Sequence, residues 1–343
     1  MLSVRTRLLS SSARKFSWWS FLPRAETKSP REARSRQAPL AAPQYLDVRG
    51  RCALEYIDIP PLEDAQRGHE APVTIVLVHG APGSYNDFRH LIPLLPHMRI
   101  IGINMPGYAG SKVTQENYLE DISALPTAEL AFDAVKKLCD GQEGSDNVFL
   151  VGHSFGAHTV INMAVLQASQ KQKKSLKIRG MALLSPVGCR PHRVLRPRES
   201  EMVVNLLRRD NPVISALTSH FIKAVYTRLL GFPSDAPAGH YIAGLVRAGT
   251  TDFSVIREHV DMLRRLKIPS LVAWSLSDEF MEKEIPAELA ELCYAGPRLA
   301  FEGGGHNVQK TRAEQIAVSM KTWIEKVLNE EEEAQKEPTQ QFP

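Results

Sequence analysis

Residues 147–166, "NVFLVGHSFGAHTVINMAVL", decide how this chain is read. "NVFLVGHS" (147–154) is a short β-branched run without alternating polarity, the pattern of a strand buried on both faces of a parallel sheet. "AHTVINMAVLQASQ" then continues as a helix, directly after Ser154, Phe155 and Gly156. Gly152 and Gly156 flank Ser154 in the pattern G-x-S-x-G. A strand that turns into a helix at such a serine fits a nucleophile elbow, in which glycines let the strained turn approach neighbouring strands and expose the hydroxyl. The helix N-terminus and the free N–H of Phe155 would favour a developing oxyanion. An ordinary tight turn would need the small residues but none of the partners sought next.

Working outward, "VTIVLVHG" (73–80), "RIIGINMPG" (99–107), "KIRGMALLSPVG", "PSLVAWSLSD" and "PRLAFEGGGH" read as further strands. "PQYLDVRGRCALEYIDIPP" alternates in polarity and suggests opening antiparallel strands. Helical patterns separate the runs. "YNDFRHLIPLL" follows the first, and "TAELAFDAVKKLCDG" carries Thr127 as expected N-cap and Gly141 as stop. "EIPAELAELCY" and the amphipathic "RAEQIAVSMKTWIEKVL" complete the series. Strand–helix alternation of this kind predicts an α/β fold, a mostly parallel central sheet with helices on both faces and site loops at the strand C-termini. Residues 189–267 break it, because they read as helices alone, and are expected to form a helical cap. The acidic residues 329–343 are expected to be a disordered tail.

A serine hydroxyl needs a base to remove its proton. His306 follows the last expected strand in "EGGGHN", where glycines allow a loop to reach over the site. His153 lies inside the elbow and His158 in the helix, which suits packing or supporting hydrogen bonds. The third member must orient His306, and Asp278 stands just past the penultimate strand, with Glu279 beside it as the alternative. The second oxyanion donor is expected from "HGAPG" after the first parallel strand. There Ala81 supplies the N–H, and His79, Gly80, Pro82 and Gly83 shape the loop.

With these motifs, residues from about 72 to 328 resemble the α/β-hydrolase superfamily, in the branch with an HGxPG oxyanion loop and a helical cap between the sixth and seventh core strands. "HGAPGSYNDF" is similar to an uncharacterised animal subgroup. The resemblance implies Ser154 as nucleophile, Asp278 as acid, His306 as base, and the Ala81 and Phe155 N–H groups as oxyanion hole. It departs at Ser275, where the acid loop usually opens on glycine. The implied activity is a serine hydrolase acting on a small-molecule ester or thioester through an acyl-enzyme. Carbon–carbon bond hydrolysis on the same triad, or a non-catalytic ligand-binding module, are the alternatives. Dehalogenase or epoxide hydrolase chemistry on this scaffold uses an aspartate nucleophile.

Charge narrows the class further. The chain of 343 residues has a formal charge of +4, yet residues 1–43 hold nine basic residues against two acidic ones. The remaining body is therefore net acidic, which excludes a nucleic-acid footprint. The basic, hydroxyl-rich "MLSVRTRLLSSSARKFSWWSFLPR" resembles a mitochondrial transit peptide, with arginines and serines interrupting any secretory apolar core. Residues 1–43 are thus expected to be a leader and linker ahead of a domain at 44–328, in mitochondria, with cytoplasmic residence as the alternative. Cys52, Cys139, Cys189 and Cys293 are scattered without metal-ligand spacing and read as free thiols. No cofactor or metal is implied, no run reaches the about 18 apolar residues of a membrane span, and nothing specifies an oligomeric state.

Overall fold

The computed structural model describes residues 40–62, 71–170, 176–209, 211–329 and 338–343. The expected leader lies outside these apart from its last four residues, of which Leu40 packs against the core. β1 (Gln44–Val48) and β2 (Cys52–Ile59) form the opening antiparallel hairpin. Three residues, Arg49, Gly50 and Arg51, turn it, the first two with φ of 58° and 66° and the third donating its N–H to the Val48 carbonyl at 3.0 Å. β3 (Thr74–Val78) and β4 (Arg99–Ile103) follow, then the short β5 (Lys112–Val113), which pairs with β2. After α1 (Tyr118–Asp121) and α2 (Ala124–Cys139), the segment under question becomes β6 (Val148–His153) and α3 (Phe155–Ser169). β7 (Ile178–Leu184) leads into α4 (Pro197–Leu207), α5 (Pro212–Ala224), a π-helical turn at Val225–Leu229, α6 (Ala238–Gly249) and α7 (Phe253–Arg265). β8 (Ser270–Ser275), α8 (Glu284–Leu292), β9 (Arg298–Phe301), α9 (Val308–Thr311), α10 (Ala313–Leu328) and β10 (Gln340–Phe342) complete the chain.

The strands form one sheet in the order β1-β2-β4-β3-β6-β7-β8-β9-β10, parallel from β4 to β10. This is the α/β-hydrolase fold, and its unbroken apolar runs explain themselves. β3, β6 and β8 are buried at every position. Alternate side chains feed two different layers: Val76, Val78 and Leu150 face α2, α3 and α7, while Ile75, Leu77, Phe149 and Val151 face α10. Trp323 of α10 closes edge-on against Phe149, with 5.3 Å between ring centres.

Several local expectations are corrected. "YNDFRHLIPLL" is not one helix but two 3₁₀ turns, Tyr85–Phe88 and Ile92–Leu94. Pro93 offers no N–H to continue a helix, and the first turn is tied down by Asn104 Oδ1 accepting from the Tyr85 N–H at 2.8 Å. Helix α2 starts at Ala124 with Ser123, not Thr127, as its N-cap residue. Pro126 fits a first turn, where missing N–H groups go unnoticed, and Thr250 Oγ1 accepts from the Ala124 N–H. Helix α7, expected within the cap at 189–267, instead lies on α3, with His259 Nδ1 2.9 Å from Asn162 Oδ1. Among the described residues, α4, α5 and α6 contribute cap side chains to the cavity over the sheet edge.

The tail expectation is also corrected in part. Residues 330–337 lie outside the described residues, but residues 340–342 of the expected disordered tail are β10, pairing parallel with β9. The apolar ring at Phe342 explains the docking: it packs against Phe301 at 5.3 Å, while the Phe342 carbonyl accepts from the Glu302 N–H at 2.8 Å. Deleting residues 338–343 should therefore cost about 1–3 kcal/mol from lost apolar contact and ladder hydrogen bonds. Differential scanning calorimetry should show a midpoint lowered by a few degrees, whereas a tail without contacts would leave it unmoved.

Candidate active site

Ser154 turns the chain between β6 and α3 with φ 54° and ψ −123°. A residue with a side chain pays about 1–3 kcal/mol for such a conformation. Flanking bonds hold it there: the Ser154 N–H donates to the Leu184 carbonyl of β7 at 3.0 Å, and the Ser154 carbonyl accepts from Ala157 N–H at 3.0 Å. The two glycines are required by close approach. A Cβ on Gly152 would stand 2.5 Å from the Gly156 oxygen, and one on Gly156 would run into the Val78 carbonyl at the end of β3.

The loop after β3 lies against this elbow, so closely that a Cβ on Gly80 would sit 3.0 Å from Ser154 Cβ. His79 shapes it. Its Nε2 accepts from the Met105 N–H at 2.9 Å, which leaves the proton on Nδ1, 2.6 Å from the Gly80 carbonyl it donates to. Burial pushes the His79 pKa down to about 4, so the ring stays neutral and keeps this bonding. Pro82 and Gly83 line the cavity beyond Ala81, and Gly83 leaves room for Asp87, whose Oδ2 accepts from the Ser84 N–H at 3.0 Å. Burial alone would raise the Asp87 pKa, but Lys310 at 2.9 Å holds it below its ordinary value. Among the described residues the Ala81 N–H makes no hydrogen bond. Phe155 opens α3, where helical N–H groups lack internal acceptors.

Asp278 and His306 come from the loops after β8 and β9. Asp278 Oδ2 lies 2.7 Å from His306 Nδ1, and Oδ1 accepts from the N–H groups of Phe280 and Met281 at 2.8 and 2.9 Å. Burial works to raise the Asp278 pKa; the hydrogen bond and charge of His306 and the two N–H donors outweigh it and leave the carboxyl below its ordinary value. With Nδ1 held, Nε2 is the nitrogen left for proton transfer. Glu279 plays a different part, its Oε2 accepting from the backbone N–H of His306 at 3.1 Å. Ser275, standing where the pattern has glycine, bonds through its hydroxyl to the Ser277 N–H and hydroxyl. His153 Nε2 donates to the His306 carbonyl at 3.1 Å, and its ring lies 5.0 Å from the His306 ring. His158 Nε2 bonds the Gly188 carbonyl at 2.9 Å.

Ser154, His306 and the Ala81 loop open on one cavity of about 890 Å³ between sheet edge and cap. Its far walls are mainly apolar, with Leu195, Val225, Leu230, Phe232 and Leu245 among them. Three contributors carried no sequence signal. His192 lines the cavity with neither ring nitrogen hydrogen-bonded among the described residues. Arg247 of α6 is almost fully buried and donates to the Phe155 carbonyl at 2.8 Å and to Thr159 Oγ1. Lys310 closes on Asp87 at the rim. Each sits in an ordinary-looking polar or helical stretch, and only tertiary packing gives it a place. No group of His, Cys, Asp and Glu capable of holding a metal occurs among the described residues.

Residues 60–314 match the family described as alpha/beta hydrolase of unknown function (DUF1057). The chain belongs to this family. An uncharacterized Caenorhabditis elegans protein is 20% identical over 188 residues, which are 52% of this chain and 47% of that protein. The chain spans about half the length of the curated relatives it matches. Among solved structures, a thermophilic esterase from Thermogutta terrifontis superposes with a TM-score of 0.58 at 17% identity, covering 84% of this chain and 99% of that one. A haloalkane dehalogenase from Bradyrhizobium elkani gives 0.58 at 18%, over 84% and 99%. These likenesses establish the fold.

The buried histidines give the site a definite acid sensitivity. Burial lowers His79, His158 and His192 to about 4 and His153 to about 3, against about 6.5 unfolded. Between those values the unfolded chain binds more protons than the folded one, so stability is complete above pH 6.5 and falls as the pH drops toward 4, by up to about 1.4 kcal/mol per pH unit for each histidine. Thermal midpoints measured at pH 7, 6, 5 and 4 should decline steeply below pH 6; a flat profile down to pH 4.5 contradicts this account.

Proposed function

We propose that this protein is a serine hydrolase that cleaves a carboxylic ester or thioester through an acyl-enzyme. The observation that carries the reading is the shared cavity of Ser154, in its strained elbow, and His306, whose Nδ1 is engaged by a buried Asp278. In this scheme the Ser154 hydroxyl attacks the substrate carbonyl while His306 Nε2 takes its proton. The oxyanion is received by the N–H groups of Ala81 and Phe155. Collapse expels the alcohol or thiol, which takes the proton from His306, and water then releases the acid by the same steps in reverse order of roles. Asp278, kept ionised, stabilises the imidazolium in both halves.

The nucleophile type favours acyl transfer over dehalogenation on this fold. A serine that displaced a halide from carbon would be left as an ether, which water cannot cleave here, whereas an acylated serine is an ester. The apolar cavity walls suit an acyl group rather than a sugar or phosphate.

A fluorophosphonate probe should label the protein at Ser154, and Ser154→Ala should abolish labelling with thermal stability unchanged or slightly raised, because the elbow is strained. Asp278→Asn should slow labelling and ester turnover by a thousandfold or more, by comparison with known triads. Glu279→Gln, which keeps an acceptor for the His306 N–H, should change either by less than about threefold. Intact protein that stays unlabelled and turns over no acyl ester or acyl-CoA would transfer the reading to a ligand-binding module.

We propose in addition that residues up to about Phe16 direct import into mitochondria and are then removed, on the strength of the nine basic residues against two acidic ones in residues 1–43. Sequencing the mature N-terminus from cells should find the leader removed. An intact Met1 in cytosolic protein would refute it.

A further inference from the structure

Helix α5 has an outer face that the cap does not cover. Thr218 and Ile222 turn inward, Ile222 into the same core as Val204 and Leu207 of α4 and Tyr241 and Val246 of α6. Val213 and Leu217 point to solvent at 65% and 67% exposure, and Phe221 follows at 59%. The row continues at four-residue spacing through Val225 to Leu229, and its last three members, Phe221, Val225 and Leu229, also line the cavity. Along α5 a spacing of four on a helix of 3.6 residues per turn winds slowly around the axis, and the π-helical turn carries the row on to Leu229, so it leads from outer solvent to the wall of the cavity. Water is a poor environment for such a row, and soluble surfaces seldom keep one without a partner.

The charges around the row select the partner. From Arg208 to Leu230 the formally charged residues are Arg208, Arg209, Lys223 and Arg228 against the single acid Asp210. Arg208, Arg209 and Arg228 are exposed. The body beyond residue 43 is net acidic, so this cationic rim runs against the rest of the surface. Apolar side chains flanked by four basic residues against one acid match a surface that is apolar below and anionic above. No helix among the described residues is long and apolar enough to cross a membrane, which leaves a helix lying along one.

We propose that α5 and the turn after it dock the protein on an anionic lipid bilayer, with Val213, Leu217 and Phe221 in the acyl region and Lys223, Arg208, Arg209 and Arg228 at the headgroups. Docking brings the cavity mouth to the bilayer, and the Phe221–Val225–Leu229 row becomes the path by which an apolar chain leaves the lipid for the cavity. The docking itself does not depend on the hydrolase reading, and Ser154→Ala must dock as the parent does.

The test uses the full chain, so that the basic leader is the same in every sample. Leu217→Cys can be labelled selectively with an environment-sensitive fluorophore, because Cys52, Cys139, Cys189 and Cys293 are buried. Adding vesicles of phosphatidylcholine with phosphatidylserine should shift the emission to the blue and expose the probe to quenching by brominated lipid. Val213→Ser/Leu217→Ser should partition onto the same vesicles about tenfold more weakly, since both side chains are exposed and replacing them removes only membrane contact. Lys223→Gln/Arg228→Gln should lose much of the preference for phosphatidylserine over pure phosphatidylcholine. A probe that stays unshifted on vesicles overturns the proposal, whatever the leader contributes to binding. A shift that appears without vesicles and grows with protein concentration overturns it too, assigning the row to a second copy of the chain.

Discussion

The contact on which the site depends is between backbones: the elbow after β6 presses against the end of β3, with Gly156 so close to the Val78 carbonyl that no side chain fits between. This approach sets the distance between Ser154 and the loop that begins at His79. Everything downstream of β3 inherits it. A methyl group at Gly156 would push α3 away from the sheet and carry the Phe155 N–H away from the Ala81 loop. The strain at Ser154 is the other side of the same constraint, because a relaxed backbone would let the serine retreat from the cavity. The Leu184 and Ala157 hydrogen bonds on either side of Ser154 hold the turn, so folding energy from β6, β7 and α3 maintains a conformation that the residue alone would leave.

A second constraint is electrostatic. His306 is surrounded by rings that burial keeps uncharged, His153 and His192 among them, and its nearest full charge is the Asp278 carboxylate. Neutral neighbours matter because each would otherwise repel an imidazolium forming at His306. Asp278 is held ionised on both oxygens, by two backbone N–H groups and by the ring it orients, so its charge stays on the correct side. Glu279 bonds the loop backbone rather than the ring, which explains how two adjacent acids in "SDEF" can serve one histidine without exchanging roles.

What the sequence made legible follows from which signals are local. Buried parallel strands are visible because both faces are apolar, and the elbow because glycine, serine and glycine must stand at fixed spacing. The order serine, acid, histidine is visible for the same reason, since each follows the end of a strand. Features decided by distant partners were not visible. "YNDFRHLIPLL" has a helical pattern but carries Pro93 within its second turn and is anchored by Asn104 just after β4. The α7 segment reads like its cap neighbours, yet its apolar face, Ile256, Val260 and Leu263, meets α3. The tail is polar except for Phe342, and one ring finding Phe301 makes a strand of a segment whose composition suggests none. Arg247 sits in an unremarkable amphipathic helix, and nothing local signals that its guanidinium will be buried.

That guanidinium ties the cap to the chemistry below it. Burial lowers the Arg247 pKa against an opposing effect of Tyr108, and the guanidinium donates to neutral acceptors, the Phe155 carbonyl and Thr159 Oγ1 of α3. A buried cation without a carboxylate is a poor source of stability, since its desolvation is only partly offset. Its position gives it another consequence. It stands at the first turn of α3, where the helix dipole already presents its positive end, and adds a fixed positive charge beside Phe155, whose N–H is the proposed oxyanion donor. A charge there favours an anion at the elbow more than it favours a neutral carbonyl, the differential that catalysis requires. The cap is therefore more than a cover that sets cavity shape. If α6 shifted away from α3, the elbow would lose this charge along with part of the cavity wall, so one side chain links the packing of the cap to the electrostatics of the elbow.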